Sequence, residues 1–185
     1  MAILFAQSTL GAPKFILLGG AVIVPLFAGL GNWIWTKVQT SRGWTNKKVL
    51  LLQNSLFLVL PFWGLVGFFT GPGSFGLQNK YELLIVAAYH GLLLGATQST
   101  CRVFYSELIP RGHEAQFFGL YEITDKGSAW IGPLVVGAIA TATGNIRYSF
   151  IFIFVTFLVS IGVFTTIDVK KGREQAQLFV SSKQS

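Results

Sequence analysis

The stretch YSFIFIFVTFLVSIGVFTTI, residues 148–167, carries no charged side chain and has only hydroxyl groups for polarity. At 1.5 Å per residue, about 20 helical residues cross a hydrocarbon core of about 30 Å. The stretch is therefore the heart of a membrane span over about 146–167, rich in Phe and Val as a lipid-facing peripheral helix would be. Working outward, comparable apolar runs at about 15–36, 49–70, 81–101 and 116–140 predict five spans in all, joined by short connections. Composition agrees: 52% of the 185 residues are apolar and 11% are charged, at a mean hydropathy of +0.59. A soluble domain carries roughly 25% charged residues. The predicted class is an all-α integral membrane protein with the lipid bilayer as its first partner, and a soluble enzyme is excluded.

The spans differ in polarity. The first holds Gly19, Gly20, Gly29 and Gly31 around Pro25, a pattern suited to close helix contact. The second contains Gln53, Asn54 and Pro61, and the turn GPGSFGLQN (71–79) follows it. In the third, Gly91, Gly95, Gln98 and Arg102 share one helical stripe, predicted to face other helices. Gly119 and Gly132 in the fourth are candidate packing positions of the same kind. Residues 1–12 are too short to span and read as the end of a truncated transmembrane helix, while 168–185 form a polar, basic tail expected to be flexible.

Lys and Arg mark the cytoplasmic side of short loops. With the loop carrying Lys37, Arg42, Lys47 and Lys48 placed there, that side also holds Arg102, Arg111, Lys170, Lys171, Arg173 and Lys183. Lys14, Lys80 and Arg147 fall opposite, so the balance is ten against three. The C-terminus is then cytosolic and the start lumenal, and an odd number of spans suits a truncated transporter. The net charge of +7 sits in loops and tail without interleaved stacking aromatics, which excludes a nucleic-acid partner. Cys101 has no partner for an intrachain disulfide.

Glu122, Asp125 and Lys126 share one face of the fourth span, about 9 to 15 Å inside it. Charges at that depth must face a bundle interior or an aqueous cavity. Two roles follow: an internal ion pair that fixes packing, or a site in which Lys126 neutralises one carboxylate and leaves the other for substrate or a proton. His90, in the third span, titrates near neutrality and is a candidate proton acceptor or a packing residue. Gln98 and Arg102 are candidate contacts for a substrate carboxylate, and Arg102, close to the cytoplasmic end, reads equally as an anchor. Tyr89, Tyr105, Tyr121 and most of the Trp residues read as interfacial anchors, with Trp130 deep enough to wall a cavity. No phosphate-binding loop, nucleophile elbow or metal-spaced pair is present in the sequence, so no cofactor, metal or catalytic residue is expected, and what remains is a secondary transporter, a channel or a structural membrane protein.

SELIP (106–110), FFGLYEITDKGS (117–128), GPLVVG (132–137), TGNIRY (143–148) and DVKKGR (168–173) together resemble the C-terminal end of the fungal autophagy-related protein 22 family, vacuolar amino-acid effluxers of the major facilitator superfamily. WTKVQTSRGWTNKKVL (35–50) is similar to the basic loop after the second helix of each half in that superfamily. The resemblance implies that the five spans form most of the C-terminal six-helix half of a twelve-helix transporter in the vacuole membrane, working during autophagy. It implies a neutral amino acid such as leucine as substrate and a missing N-terminal half or full-length homologue as partner. Beside the resemblance, release of a proton from Glu122, Asp125 or His90 on the cytosolic side is the expected route by which a proton gradient would drive export. Alternating access needs both halves. The alternative is a non-transporting truncated or assembly-partner membrane protein.

Overall fold

The computed structural model describes residues 13–69, 76, 77, 79 and 81–182 of the chain, so the expected truncated helix at 1–12 and most of the turn at 71–79 lie outside the described residues. Among these, all regular structure is helical. Helix α1 spans Lys14–Arg42 and passes through Pro25 without interruption. It stops at Gly43, whose φ of 60° is the left-handed conformation that glycine adopts at low cost, with the Trp44 N–H folding back onto the Gln39 carbonyl at 3.1 Å. Thr45 then opens α2 (Asn46–Phe57) by accepting the Lys48 N–H. Helix α3 (Val59–Val66) continues α2 after a break at Leu58, because Pro61 lacks an N–H and crowds the carbonyl four residues before it. Helix α4 spans Glu82–Ser106.

The predicted fourth span is two helices, α5 (Glu114–Ser128) and α6 (Ile131–Thr143), parted at Ala129–Trp130. Pro133 lies four residues past Ala129, so the cause is the one that acts at Pro61. A 3₁₀ turn at Ile146–Tyr148 leads into α7 (Ser149–Thr166), and α8 covers Val169–Ser182. Among the described residues four segments are long and apolar enough to cross a membrane: Lys14–Arg42, Asn46–Val66, Glu82–Ser106 and Ile146–Thr166. The expected fourth span, at about 116–140, is not one of them, since its break leaves neither piece long enough alone.

The most extensive packing joins α1 to α4, and glycine makes it so close. A Cβ on Gly31 would overlap the Leu92 backbone, one on Gly95 the Ala28 backbone, and one on Gly91 would stand 2.6 Å from the Val24 carbonyl oxygen. Without side chains there, the two backbones approach and gain dispersion contacts that lipid tails cannot match. Helix α2 packs against both α4 and α7. Its Phe57 stacks on Phe157 at 5.5 Å and meets the His90 ring edge-on at 5.8 Å. Tyr89, expected at an interface, instead donates its hydroxyl to the Leu56 carbonyl at 2.8 Å, near the α2–α3 break. On the outside of α1, Leu18, Val22, Leu26, Leu30 and Trp33 form an exposed apolar stripe. In water that stripe would favour association; in hydrocarbon it meets its own kind.

Residues expected as a flexible tail form a docked helix. The Asp168 carboxylate accepts the backbone N–H of Lys170 (3.0 Å) and Lys171 (3.2 Å), which starts α8. Val169, Gly172, Ala176 and Val180 recur at helical spacing and are half-buried, a period the polar composition masks. Phe179 meets the rings of His113 and Phe117, and Arg173 pairs with Glu107. Lys47 donates to the Thr165 (2.9 Å) and Ile167 (2.6 Å) carbonyls, placing a cation at the negative end of α7. Lys47→Met should therefore cost about 1 kcal/mol, read as a lower unfolding midpoint in detergent micelles; an unchanged midpoint would show the cap to be idle.

Candidate functional site

The face shared by α4 and α5 gathers four charged side chains, Arg102, Glu122, Asp125 and Lys126. Tyr105 on α4 donates its hydroxyl to the Phe117 carbonyl at 2.9 Å, and its ring lies 5.1 Å from that of Tyr121. These contacts bring α5 alongside the last turns of α4. At the start of α5, the backbone N–H groups of Glu114 itself and of Gly112 hold the Glu114 carboxyl below its ordinary range.

Arg102 Nη2 stands 3.2 Å from Glu122 Oε1, across the two helices. Lys126 Nζ lies 3.8 Å from the other oxygen of Glu122 and 3.4 Å from Asp125 Oδ2. Glu122 thus sits between two cations, and the four side chains form one alternating network. All four remain open on this face, Lys126 most of all at 73% exposed. Gln98, one turn before Arg102, is exposed beside them. The stripe Gly91–Gly95–Gln98–Arg102 therefore has two uses: its glycines meet α1, and its polar end emerges at the charged network.

His90 is elsewhere. It precedes Arg102 by twelve residues, about 18 Å along the axis, and lines an apolar cavity of about 690 Å³ between α1, α2–α3, α4, α6 and α7. Gly119 and Gly132 have no described atom within 4 Å of where a Cβ would stand, so these packing candidates border open space in this chain. Trp130 is likewise exposed on the joint between α5 and α6. Of the loop cations, Lys37 lies 5.0 Å from the Trp33 ring, while Arg42 and Lys48 lie 5.0 and 4.8 Å from that of Trp44.

Two residues do more than their sequence positions suggest. Arg147, counted as a loop cation, is buried and donates to the Gly76 (3.1 Å) and Leu77 (2.9 Å) carbonyls. The Leu77 N–H in turn donates to Glu82 at 2.6 Å, so the start of α7 is clamped to the start of α4. At the other end Glu107 accepts from Asn46 and Arg173, and Asn46 accepts from Gln39, tying α1, α2, α4 and α8. Both residues fall inside motifs singled out above, TGNIRY and SELIP, which was the available signal.

Autophagy-related protein 22 of Saccharomyces cerevisiae is 36% identical over 177 residues, which cover 95% of this chain and 33% of the yeast protein. The Yarrowia lipolytica protein of the same name is 37% identical over 177 residues, and that of Cryptococcus neoformans 39% over 183, each covering 95% of this chain. The chain thus spans about a third of the length of these relatives. No solved structure matches it. The family model described as "Vacuole effluxer Atg22 like" matches residues 1–177, nearly the whole chain with its apolar helices and the α4–α5 charges, and the chain belongs to that family.

Proposed function

We propose that this chain is the C-terminal part of a secondary transporter that exports neutral amino acids from the vacuole lumen to the cytosol during autophagy. In this proposal α5 and α6 together make the remaining crossing, giving five spans of a six-helix half of major-facilitator type, with the C-terminus cytosolic. The rest of the protein, corresponding to the other two-thirds of the relatives' length, supplies the opposing half.

One observation carries the proposal: two cations and two carboxylates converge on the open face of α4 and α5, at Arg102, Lys126, Glu122 and Asp125. Charges within a span are costly against lipid, so this face borders a polar cavity between halves. An α-amino acid at neutral pH presents one carboxylate and one ammonium. The network offers partners for both: Arg102 or Lys126 for the carboxylate, Asp125 or Glu122 for the ammonium, with Gln98 in reach of the same surface. It is also compensated in charge, so it satisfies itself when empty and exchanges pairs when substrate enters. Transport makes and breaks no covalent bond. A proton released from Glu122, Asp125 or His90 on the cytosolic side couples export to the gradient.

The test is leucine efflux from loaded proteoliposomes carrying the whole family protein that contains this segment, at several lumenal pH values. Glu122→Gln and Asp125→Asn should each lower flux about tenfold, the effect of losing about 1.4 kcal/mol of differential interaction, and should flatten its pH dependence. Unchanged flux in both would remove the two carboxylates from the mechanism.

A further inference from the structure

At the end of the molecule that carries the α1–α2 connection, a groove of about 350 Å³ runs between α1, α2 and α4. Its walls are apolar, with Ile34 and Val38 from α1, Leu52 and Leu56 from α2 and Leu92 from α4. Its mouth is formed by Arg42 and Trp44. From Gly31, at its deep end, to Arg42 is eleven residues of α1, or about 17 Å. That is close to half of a hydrocarbon core of about 30 Å, the depth reached by an acyl chain of one leaflet.

The mouth is cationic in an organised way. The Arg42 guanidinium is 5.0 Å and the Lys48 ammonium 4.8 Å from the centre of the same Trp44 ring, so one indole holds two positive charges beside the groove. Among the described residues neither cation forms an ion pair, and the nearby carboxylate of Glu107 is already engaged by Asn46 and Arg173. Helix α2 begins at Asn46, two residues past Trp44, which sets the positive end of its dipole at the same level. An apolar slot of leaflet depth, capped by an indole and two uncompensated cations, is complementary to one class of molecule: an amphiphile with a hydrocarbon tail and an anionic head.

We propose that this groove binds an anionic phospholipid, one acyl chain lying between α1, α2 and α4 and the phosphate resting on Arg42 and Lys48 beside Trp44. The site is separate from the α4–α5 charges and does not depend on transport. Lipid so placed joins the three helices at their ends, adding to the glycine contacts deeper in the bundle.

Native mass spectrometry of the chain, released from micelles containing equal amounts of phosphatidic acid and phosphatidylcholine, tests this. The expected result is retention of one phosphatidic acid at least about tenfold over phosphatidylcholine, abolished in the Arg42→Gln/Lys48→Gln variant. Lys170→Gln/Lys171→Gln, which removes the same charge from α8, should leave retention unchanged. Excess glycerol 3-phosphate, a head without a tail, should not displace the lipid. Equal retention of the two lipids, equal loss in the α8 variant, or displacement by glycerol 3-phosphate would each overturn the proposal; the last would mark a site for free phosphate. The lipid comparison and the displacement use the unmodified chain, so they decide even where the variant fails to fold.

Discussion

Gly31→Leu should lower the unfolding free energy by about 3 kcal/mol, whereas Gly29→Leu, two residues earlier on the same helix, should leave it unchanged or raise it slightly. The contrast comes from what each Cβ would meet. At Gly31 it would fall on the Leu92 backbone, which is part of α4 and cannot swing aside as a side chain can. The two helices would have to separate, and the close contacts at Gly91 and Gly95 would open with them. At Gly29 no atom lies within 4 Å, so leucine adds only its better helix propensity and a side chain on an exposed face. Loss of helical circular dichroism during denaturant titration in micelles reads both variants. Equal destabilisation by the two would mean that backbone stiffness, and not the α1–α4 approach, sets stability.

Arg147→Met should destabilise by a similar amount, about 3 kcal/mol, and Arg147→Lys should recover little of it. Arg147 is 6% exposed, and its guanidinium serves two consecutive carbonyls, of Gly76 and Leu77, from two different nitrogens. Methionine would leave both carbonyls buried and unpaired. Lysine would bring one compact ammonium at the end of a flexible stem and would lose the fork that spans both acceptors. The same titration should show the loss, and limited proteolysis should show faster cleavage near Leu77, whose N–H contact with Glu82 loses its support. Near-native stability in Arg147→Lys would reduce the clamp to a simple charge effect.

Arg147 also shows where sequence reasoning stopped. Its place between TGNI and a long apolar run marked the start of a span, and a basic residue at a span boundary ordinarily snorkels to water. Nothing local reveals that carbonyls some 70 residues earlier in the chain are waiting for it. Pro133 is visible in the sequence, but the break at Ala129–Trp130 leaves no trace in hydropathy, which averages across a missing hydrogen bond. At α8 the error ran the other way. Four half-buried small and apolar positions at helical spacing were legible, but the polar composition around them suggested a flexible tail. At Gly91 and Gly95 the α1 backbone lies where a Cβ on α4 would stand, an approach for which the residue type itself is the available signal.

The candidate site divides along the same line. Glu122, Asp125 and Lys126 share a face because 3.6 residues make a turn, and the sequence alone suffices for that. Their link to Arg102, twenty residues away, depends on how α5 is rotated against α4, which Tyr105 and Tyr121 decide.

From the sequence alone came the membrane class, the order and approximate limits of the apolar segments, and the family, because each is a sum or a pattern along one chain. Partnership was decided only in the tertiary structure: Arg102 with Glu122, Arg147 with the Gly76–Leu77 carbonyls, Lys47 with the end of α7, and His90 apart from them all. The physical reason is that burying a helix specifies how much apolar surface it needs, whereas its rotation about its own axis is set by the shapes and charges of the neighbours it meets.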